Sequence, residues 1–149
     1  MPSEWVQSVS GLLASFTASV TAADVATFVR LSGDDYEAHT DPDFMARSDF
    51  SRPIAHGALL VGYMSAAGTK AIRAAQALGN TTTPVSLGYD RLRFVAPVFF
   101  GDSLTVTYRV RSVDAARRRT VADIEIRKPD GTVVAVAEHI MKWLQSDAI

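Results

Sequence analysis

Asp34 and His39 form the pair in this chain whose types and spacing suit acid–base chemistry. A carboxyl and an imidazole converging on one water can take a proton from it and hand one on. Five positions apart, the two lie roughly 140° from each other around a helix, and on opposite faces of a strand. They converge only if Asp35-Tyr36-Glu37-Ala38 forms an irregular loop. Taken alone, a D-x4-H pair is a weak signal, and two polar residues of a surface loop explain it as well. The other histidines add no metal spacing, since no pair stands as H-x3-H or within an HExxH. His56 reads as a structural residue satisfied by loop hydrogen bonds. His139 reads as a packed side chain on one strand face with Ala135, Ala137 and Met141. Cysteine is absent, which excludes disulfides and thiolate nucleophiles. No glycine-rich phosphate cradle or nucleotide fingerprint is present. Neither a cofactor nor a metal is therefore expected.

The elements that must position the pair fall into two halves. The chain has 149 residues, 48% of them hydrophobic, which fits one domain over residues 1–149. A formal charge of −1 without basic runs argues against a nucleic-acid partner. No Lys or Arg precedes the first apolar residues, so no secretory signal is expected. The longest apolar stretch, from Ile54 to Ala67, is too short to cross a membrane, and a cytoplasmic protein is expected. Phe16 to Val20 reads as a short strand. Thr21 is then a helix N-cap with Asp24 in the first turn, Val25, Phe28 and Val29 lie near helical spacing, and Gly33 is the stop. Asp34 to Pro53 is polar and reads as loop, with one helical turn near Asp43 to Arg47.

A second helix is expected from Gly57 to Leu78. Its first turns are apolar all round, which predicts burial on most sides. After Pro84 the period becomes two. Leu104, Val106, Tyr108 and Val110 alternate with polar residues, as do Ala122, Ile124 and Ile126. Val85 to Val95 and Val133 to Trp143 complete four strands, and Pro129-Asp130-Gly131 is a turn. The pattern predicts an α+β fold in which a curved antiparallel sheet wraps around a long buried helix.

With these elements laid out, the pair acquires a context. Phe28-Val29-Arg30-Leu31-Ser32-Gly33-Asp34, then His39, then Ile54-Ala55-His56-Gly57 and Ser65, resembles the MaoC-like (R)-specific enoyl-CoA hydratases. Asp41-Pro42 and Pro97-Val98-Phe99-Phe100-Gly101-Asp102 extend the resemblance across nearly the whole chain. The resemblance implies the hot-dog fold and addition of water to a trans-2-enoyl-CoA, or an acyl-carrier thioester, giving the (R)-3-hydroxyacyl thioester. It implies His39 as the base that draws a proton from water, with Asp34 holding the water and, when protonated, supplying Cα. It implies the Gly57 N–H at the thioester oxygen and the Ser65 hydroxyl orienting Asp34. A glycine needed only for close packing, and a serine merely bonded within its helix, explain the latter two equally well. Arg91 and Arg93 are candidate contacts to the phosphates of coenzyme A, or simply solvated strand residues. Where the family has Asn-Pro between its Asp and His, this chain has Tyr36-Glu37. Proline fixes φ, so the substitution bears on how the loop aims both groups.

Two competing functions follow from the same fold. Hot-dog thioesterases commonly carry a carboxylate on or near the central helix, and residues 57–78 contain neither Asp nor Glu. A non-catalytic acyl-thioester-binding or partner subunit is favoured only by Tyr36-Glu37. A single sheet around one helix leaves an open edge, so a homodimer is expected.

Overall fold

A computed structural model describes residues 1–145. Ten elements follow in order: α1 Glu4–Val9, β1 Leu13–Ser19, α2 Ala22–Ser32, α3 Glu37–Thr40, α4 Pro42–Ala46, α5 Gly57–Ala77, β2 Thr83–Phe94, β3 Ser103–Asp114, β4 Arg119–Arg127 and β5 Val133–Leu144. The strands form one antiparallel sheet in the order β1-β3-β4-β5-β2. Alternation decides which face turns inward. Leu104, Val106, Tyr108 and Val110 of β3 are buried, while Thr105, Thr107, Arg109 and Arg111 are exposed. Leu60, Met64, Ala67 and Ala71 of α5 enter the same core as Val106, Ile124 and Ala137. This is the expected hot-dog arrangement, a sheet folded over one helix.

Two expectations need correction and a third needs refinement. Strand β1 begins at Leu13 rather than Phe16, paired from Leu13↔Arg109 to Ser19↔Ser103. Its small Ala, Ser and Thr residues carry little alternating signal. Helix α1 has no counterpart in the sequence pattern, because six residues are too few to show a period; its Val9 packs against Met141 and Trp143. Helix α5 is covered on most sides but carries one open stripe. Ala58, Gly62, Ser65 and Thr69, which share one helix face, are all exposed.

Local chemistry explains the elements that aim the site. Thr21 and Asp24 form a reciprocal capping box, with Thr21 N–H donating to Asp24 Oδ2 at 2.9 Å and Asp24 N–H to Thr21 Oγ1 at 3.0 Å. These bonds hold the Asp24 carboxyl below its ordinary range. Gly33, left-handed at φ 81°, ends α2 and turns the chain towards Asp34. Asp41 caps α4 with Pro42 at its start.

His139 lies in the core, as expected, with its nitrogens 2.6 Å from the Tyr108 hydroxyl and 2.8 Å from Ser86 Oγ. Burial holds its imidazole at about 4, below the ordinary 6.5, and raises the Tyr108 phenol. The unfolded chain therefore takes up a proton near pH 6.5 that the folded chain refuses until about pH 4. Stability from this group is full above pH 6.5 and is lost as pH falls to 4, on the order of 3 kcal/mol. Urea midpoints are expected to fall across that window, and His139→Gln should flatten the slope while lowering stability at neutral pH. An unchanged slope in the variant would assign the acid sensitivity to another group.

Candidate active site

The residues following Gly33 form a loop only as far as Tyr36. From there Glu37–Thr40 makes a single turn of helix, a refinement of the irregular loop expected between Asp34 and His39. The Asp34 side chain accepts the Tyr36 N–H through Oδ1 at 3.4 Å, and Asp34 N–H donates to Ser32 Oγ at 3.1 Å. Tyr36 is the N-cap of this turn but makes no side-chain cap bond, and Glu37 is its first residue. An Asn-Pro pair would supply a cap and a preorganised first position. Glu37 instead places an acid at the positive end of the turn, which favours the turn. The Tyr36 ring lies edge-on to His39, with centroids 6.1 Å apart, and it is 54% exposed.

His39 is half-buried and fixed from behind. Its Nδ1 lies 2.7 Å from the Ile54 carbonyl oxygen. A carbonyl only accepts, so Nδ1 carries the proton and, in the neutral ring, Nε2 holds a free lone pair. That is the state a general base requires. Ile54 is held in turn, its N–H donating to the Ala38 carbonyl at 3.0 Å and its backbone bridging Phe99. Ala55 N–H donates to Val98 at 2.8 Å, so residues 54–55 form an extended clamp between the loop and the start of α5.

Asp34 and His39 are thus brought together, and a third residue joins them. Asp34, His39 and His56 each place a carboxylate oxygen or ring nitrogen within 4.8 Å of the others. Spacing along the sequence offered no metal cluster, yet His39 and His56 converge with Asp34 in space because segments far apart in sequence supply them. Two ring nitrogens already face carbonyl oxygens, and the His39 and His56 rings stack at 3.7 Å and 25°. Lone pairs in the planes of stacked rings run side by side rather than meeting at one point. The arrangement suits proton transfer more than metal ligation.

Gly57 opens α5, whose N-cap His56 makes no side-chain cap bond and whose first turn holds no acid. The first N–H groups and the positive dipole end thus have neither a side-chain cap from His56 nor an acid in the first turn to compensate them. Gly57 and His39 line one cavity of about 380 Å³, with Phe50, Leu60, Phe94 and Val98 among its apolar walls. A Cβ at Gly57 would overlap the Phe94 ring, standing 2.6 Å from Cδ2 and 2.7 Å from Cζ. Close packing is thus a real demand at Gly57, alongside its position at the helix start.

The remaining sequence candidates lie elsewhere. Ser65 is exposed on α5 and acts on the Tyr89 phenol, which burial holds above its ordinary range. Arg91 sits at an irregularity of β2 with φ 50° and pairs with Glu138 at 2.7 Å. It borders a separate concavity of about 800 Å³ on the outer sheet face, where Arg109 and Asp123 also lie. Arg93 Nη1 donates to the Leu92 carbonyl at 2.8 Å and is exposed. Neither arginine lines the His39 cavity. Sequence reasoning missed His56 as a neighbour of His39 and Phe94 as the ring crowding Gly57. The place of His56 immediately before the helix start was the one available signal.

Comparison with known proteins places the fold in a family. Residues 10–129 match the family described as MaoC like domain. An (R)-specific enoyl-CoA hydratase from Aeromonas caviae is 32% identical over 121 residues, 81% of this chain and 84% of that protein. An (R)-specific enoyl-CoA hydratase from Rhodospirillum rubrum is 33% identical over 102 residues, 67% of this chain and 64% of that protein. Among solved structures, the (R)-hydratase from A. caviae involved in PHA biosynthesis superposes with a TM-score of 0.77 at 30% identity, covering 90% of this chain and 96% of that one. With the family match spanning most of its length and the A. caviae hydratase 32% identical over 81% of it, this chain belongs to the MaoC-like domain family.

Proposed function

We propose that the chain adds water reversibly across the double bond of a trans-2-enoyl-CoA, or a related acyl-carrier thioester, giving the (R)-3-hydroxyacyl thioester. The observation that carries this reading is the state of His39. Its Nδ1–H is committed to Ile54, so Nε2 is free to accept a proton, and the Asp34 carboxyl is within 4.8 Å. In the forward direction a water oxygen bonds to Cβ while its proton passes to Nε2. The alkene electron pair moves towards the thioester carbonyl, and negative charge gathers on that oxygen. The N–H groups opening α5, that of Gly57 first, lie on the cavity His39 lines and stabilise that charge. Collapse of the enolate takes a proton at Cα from the protonated Asp34–His39 pair, which restores both groups.

The fold without a carboxylate on residues 57–78 disfavours direct thioester hydrolysis. Absorbance of a 2-enoyl thioester tests the distinction. Hydration removes the conjugated chromophore and leaves free thiol unchanged, whereas hydrolysis releases thiol and a binding subunit does neither.

The acting form in this proposal is a cytoplasmic homodimer. No helix among the described residues is long and apolar enough to cross a membrane. The exposed small residues Ala58, Gly62, Ser65 and Thr69 would let a second helix approach closely, and β2 ends the sheet with Val85 and Leu87 exposed. Sedimentation at micromolar concentration is expected to give twice the chain mass; a stable monomer would contradict the dimer.

A further inference from the structure

We infer that His56 is a positioning residue on which the acid–base pair and the helix N-terminus all rest; this rests on the hydratase reading given above. The residue is 1% exposed, yet it touches each part of the site. Its Nε2 lies 2.9 Å from the Asp34 carbonyl oxygen, so Nε2–H donates and holds the backbone of the acid. Its ring stacks on that of His39 at 3.7 Å, which fixes the plane in which the base presents Nε2. Its own backbone is the N-cap of α5, directly before Gly57. Phe28 of α2 packs against the same imidazole, with centroids 4.7 Å apart, and restrains it further.

The remaining nitrogen argues that the ring is held for its position. Nδ1 of His56 is buried and has no hydrogen-bond partner among the described residues. A side chain retained for packing alone would not need a buried nitrogen left unsatisfied, and Phe would fill the space without one. What Phe lacks is the donor to Asp34. What Asn and Gln lack is the flat ring under His39, and Tyr and Trp, which carry a ring and a donor, are larger than an imidazole that is 1% exposed.

Two single substitutions separate the contacts. His56→Gln keeps an N–H at about the reach of Nε2 and loses the ring, while His56→Phe keeps a ring and loses the donor. Each is expected to lower kcat for hydration by about 10- to 100-fold, because small misplacements of acid and base cost that much. KM should change by less than about threefold, since ground-state binding is not touched. In an Asp34→Asn background, His56→Phe should cost less than about threefold more, because its effect passes through the pair. A second readout needs no turnover. By NMR, the His39 Nδ1–H held on the Ile54 carbonyl should exchange with solvent faster in His56→Gln than in the wild type, because the ring stacked on His39 is gone. Folded variants with wild-type kcat and unchanged exchange of the His39 Nδ1–H would overturn the inference, as would losses that multiply fully with Asp34→Asn. If His56→Phe fails to fold, His56→Gln carries both measurements. A wild type that hydrates nothing but shows His56-dependent protection of the His39 Nδ1–H would overturn the function and leave this role standing.

Discussion

Asp34→Asn and His39→Asn are each expected to lower the hydration rate by roughly two to four powers of ten, the range that a positioned acid or base contributes. Both substitutions keep the local backbone. In Asp34→Asn the new amide oxygen can still accept the Tyr36 N–H that Asp34 Oδ1 accepts. In His39→Asn the new amide N–H can still donate to the Ile54 carbonyl in place of Nδ1. Neither variant should therefore unfold the chain, since Asp34 is exposed and His39 only half-buried. Steady-state kinetics and thermal melts on the same samples make the comparison. If the two residues work as one unit, the double variant should be little slower than the slower single one. Near-normal hydration by either single variant would remove that residue from the chemistry.

Gly57→Ala should produce the next largest loss, about 10- to 1000-fold in kcat, the range spanned by a misplaced or missing oxyanion donor. Helix propensity alone favours the change, since Ala is about 1 kcal/mol better than Gly within a helix. The steric term opposes it, because the new methyl overlaps the Phe94 ring. Phe94 is 50% exposed, so its ring can swing away. Stability should consequently change little while the cavity wall and the start of α5 shift. Adding Phe94→Ala to Gly57→Ala removes the collision and should recover part of kcat. Full activity of Gly57→Ala would show that neither close packing nor an undisturbed helix start is needed for turnover.

The fold was legible wherever a period was long enough to count. Strands β3 and β4 alternate cleanly, and α5 begins at the expected Gly57 and ends at Ala77. Helix α1 and strand β1 escaped because one is too short and the other too poor in large apolar residues. The capping box at Thr21 and the stop at Gly33 were legible because their chemistry is local. The approach of Asp34 to His39 was readable only as a condition on the loop. Contacts made across the sequence were not readable at all. His56 reaches Asp34 over 22 positions, and Arg91 turns to Glu138 because β2 is irregular between Asp90 and Arg93. Spacing rules see neither, since both depend on how loops and bulges close in space.

The exposed face of α5 shows the same limit from another side. Apolar residues all round a helix predicted cover on most sides, and within this chain Ala58, Gly62, Ser65 and Thr69 lack it. The homodimer proposed above supplies that cover from a second copy.

The configuration of the product tests the central claim most directly. Asp34 in the loop after α2 and His39 on the helical turn that follows lie within 4.8 Å of each other, and His39 lines the cavity with Gly57, so water and proton should reach one face of the bound alkene. Purified protein given a trans-2-enoyl-CoA, with no added metal or redox cofactor, is predicted to form the (R)-3-hydroxyacyl-CoA and to dehydrate that isomer in reverse. Formation of the S isomer, release of free thiol, or inactivity of the folded protein on short, medium and branched enoyl thioesters would contradict it.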